Sequence, residues 1–311
     1  METEQAHSSR TYPLPAGRDA ALLRLRTPLR AVAARPQSPA VWLNLVCLDA
    51  PLVSVAWLWL FAAVFHVAVD PANGSALFLT AWVIYLADRL ADSCSLEEDA
   101  LRSLRHEFCL KHRQIWIGAL AVTATIDASL IWRSVGPETF LCGAIAGTLA
   151  LLYLVLNYSL GGAWPLPLKE FAIGSLFAAG TLVALSPAFP PMTRSLLFSG
   201  MAFASVCTLN CISIAFWERE LDERQRKISF ATRYPTLERH LGKLSVALGL
   251  SSGAMGVIYR EAAPIFFCVT VSSLFLALLN SSREKIGRDQ RTALADLVLL
   301  TPLLILLVMN A

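Results

Sequence analysis

Two acidic pairs share one spacing in this chain, and carboxylates so spaced have chemistry open to them. Asp88 and Asp92 stand four residues apart in Tyr85-Leu-Ala-Asp88-Arg89-Leu-Ala-Asp92, and Glu218 and Asp222 stand four apart in Phe216-Trp217-Glu218-Arg219-Glu220-Leu221-Asp222. On a helix that spacing puts two side chains on one face, about 6 Å apart. Two like charges that close are costly unless a cation lies between them or one carries a proton. A hard divalent cation answers the cost, because Mg2+ takes oxygen ligands and is commonly held by one or two carboxylates plus substrate phosphates. For the first pair alone the plain alternative is an arginine partner for Asp88 and a capping or solvated role for Asp92. The repetition favours one cavity in which four carboxylates surround cations and a polyanion. Arg224, Arg226 and Lys227 follow the second pair directly; they would suit phosphate oxygens, or they are only the usual basic character of a cytoplasmic connection.

The elements that must carry these pairs are membrane helices. Of 311 residues, 56% are hydrophobic and 16% charged, against the roughly 25% charged of a soluble domain. A bilayer core about 30 Å thick needs roughly 20 apolar residues per spanning helix. Nine such segments are expected, at 41–66, 75–91, 114–132, 138–158, 169–186, 195–217, 243–259, 262–280 and 292–310. They are apolar on all faces rather than alternating, which excludes barrel strands. The fold class is all-α: a polytopic membrane protein with nine transmembrane helices around a central cavity. Residues 1–40 form a basic cytoplasmic tail, with a short amphipathic helix near 18–34 as the alternative to a disordered one, and 41–311 form the membrane domain.

Of the 26 lysines and arginines, 23 fall on alternate connections and only Arg133, Arg194 and Arg260 on the others. By the positive-inside rule the N-terminus is cytoplasmic and the C-terminus outside. Both acidic pairs then lie at cytoplasmic helix ends. The first 40 residues lack the apolar run of a cleavable signal peptide, and the expected location is the inner (cytoplasmic) membrane of a bacterium.

Other polar residues sit within the spans. Asp49, before Pro51, either lines the cavity as a substrate-binding group or bonds backbone freed by the proline. Asn210, two turns before Glu218, lines the cavity or bonds a neighbouring helix. Asp127 and Asp296 read as structural. Lys169 reads as snorkelling to the interface, with a phosphate contact as the alternative. His106 and His112 read as solvated, and Tyr153 as packing. The seven cysteines have no CxxC spacing and read as small packing residues, Cys207 and Cys211 included.

On these residues the chain resembles the UbiA-type intramembrane prenyltransferases, over most of its length. That family has nine helices, a cytoplasmic N-terminus and aspartate-rich motifs after helices two and six, patterned NxxxDxxxD and DxxxD. Ile84-xxx-Asp88-xxx-Asp92 looks like the first, and Glu218-xxx-Asp222 with Lys227 like the second; Glu170-xxx-Gly174-xx-Phe177-xx-Gly180 is similar to a small-residue packing stretch. Ile84 replaces the motif's asparagine, and Glu218 an aspartate. The resemblance implies Mg2+ held by Asp88, Asp92, Glu218 and Asp222 as the catalytic and metal-binding set. It implies an isoprenyl diphosphate bound with help from Arg89, Asn210, Arg219, Lys227 and Asp49, and transfer of its isoprenyl group to an aromatic or lipid acceptor. The partners are that diphosphate, a hydrophobic acceptor and the bilayer, with no nucleic acid. Two alternatives stand beside it: a catalytically silent relative that binds a lipid diphosphate, favoured by Ile84, and a small transporter, which would call for charges near the bilayer midplane and broken helices in two repeats.

Overall fold

A computed structural model describes residues 38–95, 102–159, 169–186, 192–225 and 227–309. The basic tail up to residue 37, including the 18–34 segment, and Arg226 lie outside the described residues. Helices run α1 (Pro39–Leu45), α2 (Asp49–Val64), α3 (Pro71–Cys94), α4 (Leu104–Lys111), α5 (Arg113–Ser134), α6 (Pro137–Ser159), α7 (Lys169–Val183), α8 (Arg194–Arg224), α9 (Phe230–Arg233), α10 (Leu241–Ile258), α11 (Ala263–Ser281), α12 (Arg288–Leu297) and α13 (Pro302–Met309). No strand occurs among the described residues. Among the described residues, seven helices are long and apolar enough to cross a membrane, or eight if α1 and α2 count as one bent span. The expected fifth span is shorter than anticipated: α7 has 15 residues.

Two expected spans are broken, and a proline sets each break. A proline inside a helix lacks the N–H for its bond to the carbonyl four residues back and crowds that carbonyl. Pro51 points back to Cys47, where φ is +60° and the chain bends by 98° between α1 and α2. Pro302 points back to Val298, where α12 passes into a 3-10 turn over Val298–Leu300. Carbonyls freed inside a membrane need new donors, and side chains supply them. Arg89 donates to Asn44 O and the Trp82 indole to Val46 O at 3.1 Å. At the second break Trp57 donates to Leu299 O at 2.8 Å and Ser272 to Val298 O at 2.7 Å.

The acid-bearing helices have well-marked starts. Asp70-Pro-Ala-Asn-Gly74 reads as a turn in the sequence, yet Asp70 caps α3 by accepting from Ala72 N at 2.8 Å, with Pro71 at the first helical position. Thr193 caps α8 through Leu196 N at 3.2 Å. α8 runs 31 residues, about 46 Å at 1.5 Å per residue, which exceeds the roughly 30 Å hydrocarbon core.

Packing centres on α2, α8 and α11. Trp57 stacks on Phe203 with ring centroids 4.2 Å apart, and Phe61, Phe266 and Val206 are buried around them. α7 lies against α8 at Gly174, where a Cβ would come 2.7 Å from Thr208 Cα; only glycine permits that approach. The other small residue of the stretch, Gly180, meets nothing within 4 Å and opens onto a cavity.

Candidate functional site

The last two turns of α3 and of α8 present their carboxylates to the same space. Asp88, Asp92, Glu218 and Asp222 all line a cavity of about 670 Å3, whose remaining wall is mostly apolar, with Val53, Leu77, Ile84, Ile131 and Leu176 among its members. Lys169, Arg105 and His106 line it too. One end of the cavity is thus densely charged and its body is greasy.

Each acid meets a cation from another element. Lys227 Nζ lies 3.3 Å from Asp92 Oδ1, and Arg105 pairs with Glu218 at 2.5 Å. Lys169, at the first position of α7, interacts electrostatically with Asp92, Asp88 and Asp222. The chain after α8 explains how Lys227 arrives there. Lys227 N bonds back to Asp222 O at 2.9 Å, Ser229 caps α9 in a capping box, and Phe230 N donates to Glu170 Oε1 at 2.9 Å. The connection therefore folds over the start of α7.

α4 closes the charged end from the other side. His106 is 4% exposed, bonded through Nδ1 to Ser103 at 3.1 Å. Burial, and then the Arg105 guanidinium, push the imidazole down to about 2, so it is neutral at working pH. The solvated reading of His106 is corrected by this burial, and the snorkelling reading of Lys169 by its place in the cavity wall. Arg105 carries no sequence signal beyond being one base in a basic connection. Lys169 had one: it is the sole basic residue of its connection, and it directly precedes an acid at the start of an apolar run.

Arg219 is not part of this space. It turns to Glu223 at 3.3 Å and Glu238 at 2.8 Å, because successive residues on a helix point about 100° apart and Glu218 holds the inward direction. Arg89 lines the cavity, but its guanidinium is committed to Asn44 O and the Tyr85 hydroxyl, where it holds the α1–α2 break.

Deeper in the cavity stands a second polar group. Asn210 donates to Asp296 Oδ1 at 2.9 Å. The Asn44 amide donates to Asp49 Oδ2 at 2.6 Å and to Asp296 Oδ2 at 3.2 Å. Asp49 is 1% exposed and sits behind the wall, while Asp296 and Asn210 line it. Asp296, read from sequence as structural, therefore belongs to the cavity. Asp127 accepts from Thr80 at 2.7 Å and also lines it.

Among the described residues, no group of three His, Cys, Asp or Glu side chains is arranged to hold a metal ion alone. Mg2+ does not require one, since one or two carboxylates plus phosphate oxygens complete its shell. Asp88 and Asp92 on α3 and Asp222 on α8 line the same cavity and offer oxygen donors of the type Mg2+ takes. No family model, no curated protein and no solved structure matches the chain.

Proposed function

We propose that the protein is an intramembrane prenyltransferase, nine helices deep with its N-terminus in the cytoplasm, resembling the UbiA type. It would transfer an isoprenyl group from an isoprenyl diphosphate to an aromatic or lipid acceptor. The observation that carries this reading is the shared cavity: two acidic pairs from distant parts of the chain line one end, and the rest is apolar. A ligand with a charged head and a hydrocarbon tail matches such a space. The alternation of basic residues supports the cytoplasmic side for the charged end.

Asp88, Asp92, Glu218 and Asp222 would hold Mg2+ together with the diphosphate, and the bound ion would supply charge stabilisation to the departing group. The chain's own groups do the rest. Lys169, Lys227 and Arg105 begin as counterions to the acids and are placed to turn to phosphate oxygens, which are strong charge-assisted partners. The apolar wall houses the tail and keeps water from an allylic carbocation-like fragment.

One observation favours a second reading. Ile84 faces the cavity where the resembling motif has a polar asparagine, which fits a relative that binds a lipid diphosphate without turning it over. The two readings separate when purified protein is given Mg2+, a panel of labelled isoprenyl diphosphates and total membrane lipid extract. Labelled product that disappears in Asp88→Asn and Asp222→Asn supports transfer. Binding without product supports the silent relative, and product undiminished in both variants sinks the mechanism.

A further inference from the structure

The apolar body of the cavity has a depth that two helices measure independently. Asn73, Ala76, Leu77, Thr80, Ala81 and Ile84 line it on α3, at the three- and four-residue steps that keep one helical face. The cavity therefore follows α3 from its acids back to its start. From Asp88 to Asn73 is fifteen residues, about 22 Å at 1.5 Å per residue. α7 borders the same space through Lys169, Phe177, Gly180 and Val183. From Lys169, at the charged end, to the last residue of α7 at Val183 is fourteen residues, about 21 Å.

Hydrogen bonds bridge the far end. Ser186 O, just past α7, accepts from Asn73 Nδ2 at 2.7 Å and from Thr139 Oγ1, near the start of α6, at 2.7 Å. Asn73 also reaches Ala184 O at 3.4 Å. Asn73, Thr139 and Ser186 are all buried, and Asn73 and Thr139 border the cavity. A chain pushed past this bridge would strip donors from a backbone carbonyl at the end of a membrane helix, which is costly. An extended chain advances about 1.2 Å per bond, so an isoprene unit of four bonds spans about 5 Å and the depth holds about four units. The volume agrees: about 670 Å3 holds about twenty carbon groups at roughly 30 Å3 each, the share of a water in the liquid. Gly180 marks the place of the last unit. It lies eleven residues past Lys169, about 16 Å down, and a Cβ there would meet nothing within 4 Å.

We infer that the cavity measures its ligand and takes an isoprenyl diphosphate of at most four isoprene units, with the Asn73–Ser186–Thr139 bridge as the stop and the space beside Gly180 holding the last unit. This rests on the reading that the cavity holds an isoprenyl diphosphate, whether or not it turns that ligand over. With the diphosphate at the acids, a four-unit tail reaches the bridge. A longer tail must fold back on itself or break the bridge, and a shorter one leaves the space beside Gly180 unfilled.

The test measures Mg2+-dependent binding of labelled isoprenyl diphosphates of two, three, four, six and eight units to the purified protein in lipid nanodiscs, for wild type, Gly180→Ala and Gly180→Leu. Wild-type affinity should hold up to four units and fall by about tenfold or more at six and eight, the size of a buried hydrogen bond left broken. Gly180→Leu should lower the ratio of four-unit to two-unit affinity by about tenfold or more, the size of an overpacked contact, and Gly180→Ala should lower it less. Thermal unfolding of Gly180→Leu should match or exceed wild type, because glycine is a poor helix former and the added side chain enters open space. Six- and eight-unit chains that bind wild type as tightly as four-unit ones, or a length preference that Gly180→Leu does not move, overturn the length limit and leave diphosphate binding standing. Wild type that binds no chain of any length overturns the diphosphate reading, and the length limit with it.

Discussion

The cavity contains two acidic regions built from the same residue type and held in opposite ways. At the charged end, four carboxylates are matched by Lys169, Lys227 and Arg105. Deeper in, Asp49 and Asp296 are held by the neutral amides of Asn44 and Asn210. Carboxylates facing mobile ammonium groups can exchange those partners for an ion and a phosphate. Among the described residues the inner carboxyls form no ion pair of that kind to exchange.

The contrast is broken most sharply at the charged end. Asp92→Asn should lower transfer by about 10²–10³-fold, the size of a lost electrostatic stabiliser, and should weaken diphosphate binding as well. Steady-state transfer and equilibrium binding read the two effects separately. Lys169→Met removes one of the three cations at the charged end, leaving Lys227 and Arg105 in place; isoprenyl diphosphate binding should weaken about 10–100-fold, as for a lost hydrogen bond to a charged group. Unchanged binding would return Lys169 to a purely interfacial role.

Smaller effects probe the scaffold that holds the two regions in register. Gly174→Ala drives a Cβ into the α8 backbone at Thr208, and overpacking of this kind costs about 1–3 kcal/mol. Thermal unfolding in detergent should show it, with diphosphate binding also reduced because Lys169 sits on the same helix. His106 gives a pH signature. Its folded pKa is pushed below the unfolded value of 6.5, so its neutral burial supports the fold above that value and loses support as pH falls. Between about pH 7 and 5.5 the loss is about 1 kcal/mol, and His106→Gln should flatten that part of the stability profile.

Much of the charged end was legible because i, i+4 spacing survives in sequence: Asp88/Asp92 and Glu218/Asp222 each had to share a helical face. That both faces meet in one cavity follows from the close packing of α7 on α8 at Gly174 and from the fold-back after Asp222, which brings Lys227 to Asp92. Lys169, Arg105 and His106 gained their places through that packing, so their sequence context resembled ordinary interfacial and loop charge. Pro51 and Pro302 announced two helix breaks, yet a continuous apolar run concealed them, and with them the meeting of Asp49 and Asp296 across about 250 residues of chain. Arg219 shows the reverse. Adjacent to Glu218 in sequence, it points to Glu238 instead.

The claim that two separate acidic pairs serve one site is tested most directly by a double-mutant cycle on Mg2+-dependent binding of a labelled isoprenyl diphosphate, using Asp92→Asn, Asp222→Asn and the double variant. A shared site predicts coupling: the double variant should bind more than about fivefold better than the product of the single losses, because the second change removes a partner already disabled. Losses that add within about 0.5 kcal/mol, the behaviour of independent positions, would contradict it.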